Sequence, residues 1–114
     1  MQAQDLKALE ALPPSTVCRR IEFEKAEVVP GILPNTWFLI VSGTKPWVTM
    51  TVQLTPLIYI QQPEYWGIEV IGCQIGIGLP QVAPYSVTLD ISHIRGKKGI
   101  EVIGATKTKK IDVS

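Results

Sequence analysis

A chain of 114 residues, 46% apolar and 18% charged, can bury a core without a metal or a disulfide framework to staple it. Its charged fraction lies below the roughly 25% usual for such chains, which implies that another subunit or a partner covers part of the surface. No apolar run approaches the ~18 residues of a spanning helix, and the net charge of +1 is unevenly placed: Arg95, Lys97, Lys98, Lys107, Lys109 and Lys110 face only Glu101 and Asp112 after residue 90.

Residues 1–14 read as a short N-terminal helix or tail. Leu6, Leu9 and Leu12 recur at helical spacing within Gln4–Leu12, and Pro13-Pro14 stops the pattern. The segment has neither a basic n-region nor an apolar h-region, so the default expectation is a cytoplasmic protein. Cys18 and Cys73 form no CxxC pair and leave the redox compartment open.

Residues 15–114 read as a single all-β domain, because nine prolines and nine glycines leave no room for a long helix. Val17–Phe23 alternates weakly. Trp37–Val41 (WFLIV) is apolar on both faces, which suits a central strand or one covered by a partner. In Trp47–Thr55, Val48, Met50, Val52 and Leu54 alternate with polar residues, and Pro56 ends that strand or places it at an edge. The hexapeptide GIEVIG follows at Gly67–Gly72 and recurs, letter for letter, at Gly99–Gly104. Its flanks share nothing, so a duplicated domain is excluded and two similar strands of one sheet are expected. Between the copies, Tyr85–His93 places Tyr85, Val87, Leu89 and Ile91 on one face.

About seven short strands with frequent turn signals predict an antiparallel β-sandwich or a small barrel. Arg95-Gly96-Lys97-Lys98 reads as a hairpin loop that sets His93 opposite Ile100 and Ile91 opposite Val102. The two GIEVIG strands would then flank Tyr85–His93 and run parallel, with Glu69 and Glu101 on one solvated face, ~10 Å apart.

Catalytic chemistry finds little support. Period two sends His93 to the face opposite Asp90 and Ser92, so these three cannot form a hydrolytic triad. No closely spaced metal ligands occur, and the glycine-rich GCQIGIG matches no phosphate- or dinucleotide-binding fingerprint, so neither metal nor cofactor is predicted. Cys18, Trp37 and Cys73 resemble the cysteine–tryptophan–cysteine pattern of immunoglobulin domains, although Ile71 stands where the tyrosine corner would fall.

Three binding expectations remain. The first is a small non-catalytic module acting through protein association, with itself or as a subunit of an assembly. The second is a small-molecule-binding barrel, with Trp37, Trp47, Tyr59, Tyr65 and Trp66 as ligand or interface residues. The third is salt-sensitive binding of an anionic polymer through residues 95–110, carried by Arg95, Lys97, Lys98, Lys107 and Lys109. No aromatic residue interleaves with these cations, which speaks against nucleic acid.

Overall fold

The computed structural model describes residues 16–113, so the expected helix at Gln4–Leu12 lies outside the described residues. All regular structure among the described residues is β: β1 (Thr16–Arg20), β2 (Lys25–Pro30), β3 (Trp37–Lys45), β4 (Thr51–Pro56), β5 (Tyr65–Ile75), β6 (Ala83–Asp90), β7 (Gly99–Ile103) and β8 (Thr108–Asp112). They form two sheets, one of five strands and one of three, and do not close into a barrel.

The five-stranded sheet is organised on β5. One edge of β5 carries β4, paired from Thr51↔Cys73 to Pro56↔Ile68. The other edge carries two strands end to end. β1 pairs antiparallel with its second half, and β7 pairs parallel with its first half, from Tyr65↔Gly99 to Glu69↔Ile103. β8 then returns antiparallel to β7. In the smaller sheet β3 is central, flanked antiparallel by β2 and β6.

Side-chain alternation explains why the sheets pack. Ile68 and Val70 from β5, with Ile100 and Val102 from β7, are wholly buried, as are Leu39 and Val41 of β3 and Ile91 just beyond β6. Withdrawing each such side chain from water contributes about 1.5–3 kcal/mol. Within the same hexapeptides, Glu69, Ile71, Glu101 and Ile103 take the outer face and are only partly covered. Trp37–Val41 is central, as expected, and Pro56 closes an edge strand.

Residues 21–24 cross between the sheets with Ile21 and Phe23 in the core. The backbone at Phe23 and Glu24 runs so close to Gly43 that a Cβ there would come within 3.2 Å of it. The Tyr85 hydroxyl donates to the Glu22 carbonyl at 2.7 Å, and burial, aided by Glu24 and Glu22, pushes the phenol up to about 12.

Two expectations are corrected. The expected hairpin joining Tyr85–His93 to the second GIEVIG strand does not form. Instead β6 pairs with β3 in the other sheet, and the two GIEVIG strands are direct neighbours with no strand between them. The reason lies after Asp90: its carboxylate accepts the Ser92 N–H at 2.9 Å and Ile94 N–H bonds to the Ile91 carbonyl, a local turn that ends the strand early. Second, the sheet is mixed rather than antiparallel, because β5 and β7 run the same way. Beyond Gly104 the chain turns back: the Gly104 N–H bonds to the Lys107 carbonyl, and β8 returns alongside β7. β2 is an eighth strand, whose alternation of Ala26 and Val28 with Lys25 and Glu27 is short.

Cys18 and Cys73 are joined in a disulfide between directly paired positions of β1 and β5. This bond lies within one sheet on its outer face, unlike the bridge between sheets that the immunoglobulin pattern implies. It fastens a strand whose five residues are all exposed.

Two stability outcomes follow from this arrangement. In urea unfolding, Ile68→Ala or Ile100→Ala is expected to cost about 2–5 kcal/mol, whereas Ile71→Ala or Ile103→Ala, on the outer face of the same hexapeptides, costs under half as much. Replacing both cysteines by serine releases a link spanning 55 residues and is expected to cost about 2–4 kcal/mol, read in the same experiment without reductant.

Candidate functional site

The five aromatic residues do not converge. Trp37 packs against the core of the smaller sheet, and its backbone N–H donates to Ser92 Oγ at 3.0 Å. Trp47 lies in the β3–β4 connection, where the Arg19 guanidinium sits 5.7 Å from its ring centroid and Gly78 passes too close to admit a Cβ. Tyr59 and Trp66 meet edge to face at 5.3 Å. The Trp66 indole donates to the Leu57 carbonyl at 2.9 Å, and the Tyr59 hydroxyl accepts the Gly67 N–H at 3.1 Å, so this pair pins the 57–64 loop onto β5. Tyr65 lies on the outer face and donates to Asp112 Oδ1 at 2.6 Å, with Lys110 Nζ 5.2 Å from its ring. That hydrogen bond, with smaller contributions from burial and from the charges of Asp112 and Glu64, raises the phenol above its ordinary value.

The expected cations also divide. Arg95 and Lys97 line one cavity of ≈540 Å³ together with His93, Ser92, Gln62 and Val113. Lys98 is paired with Glu64 at 3.2 Å. Lys107 and Lys109 stand beyond β7, the first over the Phe23 ring at 4.7 Å and the second donating to the Ala26 carbonyl at 3.0 Å. A second cavity of ≈400 Å³ lies between β1 and the β3–β4 connection, lined by Arg19, Arg20, Glu22, Lys45 and Val82 among others. Among the described residues, neither cavity has a Phe, Tyr or Trp in its lining.

Exposed apolar side chains concentrate at the ends of the sheets rather than on their faces. At one end stand Val17, Val48, Ile75, Ile77, Leu79 and Val82, with Ile77 fully solvated at 99%. These residues belong to neighbouring segments: Val17 pairs with Gln74, the Leu79 N–H donates to Thr49 Oγ1 at 3.0 Å, and Ala83 pairs with Lys45. The opposite end carries Ile32, Leu33, Ile58 and Ile60.

Sequence reasoning missed two things. His93 joins Arg95 and Lys97 because the chain leaves β6 early, which placing it on a strand concealed. The apolar loop was readable in Ile75-Gly76-Ile77-Gly78-Leu79, where apolar residues alternate with glycines before Pro80. The Ser92 N–H donates to Asp90 Oδ1 and Ser92 Oγ accepts the Trp37 N–H, which spends these polar groups on the turn.

Among the described residues, no three of His, Cys, Asp and Glu gather where they could hold a metal ion, and no helix is long and apolar enough to cross a membrane. Comparison with protein-family models, curated proteins and solved structures gives no match.

The cavity wall at residues 95–98 depends on close backbone packing. A Cβ at Gly96 would collide with the Glu64 carbonyl oxygen. Gly96→Ala is therefore expected to cost about 1–3 kcal/mol in urea unfolding, whereas Lys97→Ala, at an exposed neighbour, stays within about 0.5 kcal/mol of the parent.

Proposed function

We propose that the chain is a non-catalytic β-sandwich module that works by association, burying the apolar end formed by Val17, Val48, Ile75, Ile77, Leu79 and Val82 against a second copy of itself. The observation that carries this reading is the grouping, among the described residues, of six of the ten exposed large apolar residues on three neighbouring segments at one end. Single exposed apolar residues are ordinary, but a contiguous group is the common mark of an interaction surface. The low charged fraction points the same way. It moves the interface from the sheet faces, where sequence alone suggested it, to a sheet end.

The Cys18–Cys73 bond supports a protein that works in an oxidising compartment, against the cytoplasmic default. The small-molecule barrel is not carried forward: the sheets do not close, and Trp37, Tyr59 and Trp66 line neither cavity.

Size-exclusion chromatography with light scattering tests the association. The expected mass is a multiple of 12.6 kDa. Ile77→Asp combined with Leu79→Asp, at about 1–2 kcal/mol each, is expected to weaken association by roughly 100-fold while leaving urea unfolding unchanged. A monomer that persists at high concentration contradicts the reading.

A further inference from the structure

We propose that the cavity between the 57–64 loop, residues 91–98 and Val113 is a binding site for a tetrahedral oxyanion, a phosphate or sulfate group carried on a small polar body. Among the described residues, its lining brings together His93, Arg95 and Lys97 with the polar side chain of Gln62 and includes no carboxylate. The carboxylates nearest in sequence are engaged elsewhere. Asp90 accepts from the Ser92 N–H, Glu64 pairs with Lys98, and Asp112 accepts from Tyr65. Among the described residues, neither Arg95 nor Lys97 forms an ion pair. Their charge is therefore available to a ligand.

The frame holding these groups is fixed from three sides. The Ile91 N–H bonds to the Trp37 carbonyl, tying the segment to β3. Lys97 N–H and Lys98 N–H donate to the carbonyls of Pro63 and Glu64, both at 2.8 Å, and the Gln62 side chain donates to the Arg95 carbonyl at 2.9 Å. The Val113 N–H donates to the Lys98 carbonyl at 2.9 Å. A backbone so stitched fixes the points from which the cationic side chains project, so binding does not have to order the chain itself.

The chemistry and size define the ligand class. A guanidinium offers a planar fork that matches two oxygens of a phosphate or sulfate, and an ammonium adds a point charge. A cavity of ≈540 Å³ exceeds what a bare oxyanion fills and falls within the range of about 300–1,000 Å³ common for small-molecule sites. Apart from Gly96 and Val113 its lining is polar, so the body attached to the anion is polar and compact, as in a sugar phosphate or sulfated sugar. Lys98 is neutralised and Lys107 and Lys109 lie beyond β7, so the positive surface is local rather than a track for a long polymer.

The test is titration of the full chain, Ser114 included, with inorganic phosphate, inorganic sulfate, a hexose phosphate, a sulfated disaccharide and uncharged glucose. Backbone amide shifts of residues 92–98 are followed by two-dimensional NMR. Saturable shifts at Arg95–Lys97 are expected with phosphate and sulfate. One of the two sugar esters is expected to bind at least tenfold tighter, which identifies the source of the anion, and glucose is expected to leave the amides unmoved. Arg95→Ala combined with Lys97→Ala is expected to abolish the shifts while retaining a dispersed folded spectrum; Lys107→Ala combined with Lys109→Ala leaves them intact. Shifts that never saturate, shifts equally produced by glucose, or equal loss in both double variants would overturn the proposal.

Discussion

Parallel pairing between two copies of one hexapeptide sets Ile68, Val70, Ile100 and Val102 side by side, and none of the four retains any exposed surface. Parallel neighbours cannot be joined by a tight turn, so the chain must leave β5 at one end and re-enter at the other to begin β7. It makes this crossing through β6, which pairs with β3 in the opposite sheet. Two connections result, residues 76–82 at one end and 91–98 at the other. The first carries Ile77, Leu79 and Val82 of the proposed association surface, and the second carries His93, Arg95 and Lys97 of the proposed anion site. Both candidate sites are thus consequences of how the core pair is connected.

The length of β5 imposes a second condition. Eleven residues allow one edge to serve β7 over its first half and β1 over its second. β7 is held by its buried inner face, but every residue of β1 is exposed, so packing does little to retain it. The disulfide supplies what packing does not. It also keeps Val17 and Arg19 near the apolar end, where Arg19 stacks over Trp47. The covalent link and the proposed surface therefore belong to one part of the molecule.

Much of this arrangement could be read before the structure. Strand alternation assigned Tyr85, Val87, Leu89 and Ile91 to one face and Val48, Met50, Val52 and Leu54 to another, and all but Val48, which is exposed ahead of β4, do point to the core or pack against it. Alternation reports which way a side chain points and carries no information about which strand lies alongside. Gly96 therefore looked like a hairpin glycine, although its smallness serves a close approach to the Glu64 backbone. The deciding signal was the Asp90-Ile91-Ser92 turn, three residues within an apparently continuous strand. For the sites, Arg95 and Lys97 were visible as charges, but setting Lys98 apart from them required knowing that the Glu64 segment packs alongside and pairs with it. The aromatic residues were legible as large side chains, yet each is used locally: Tyr59 and Trp66 to hold a loop, Tyr65 to bond Asp112.

Contacts between protons across β7 test the central constraint most directly, because the hairpin suggested by sequence and the observed pairing place different residues beside it. In nuclear Overhauser spectra of the labelled protein, the parallel arrangement predicts backbone contacts linking Trp66 with Ile100 and Ile68 with Val102. It also predicts contacts between β6 and β3 at Leu89 and Leu39. Contacts between His93 and Ile100, or between Ile91 and Val102 along a backbone ladder, would contradict it and remove the crossover on which both sites rest.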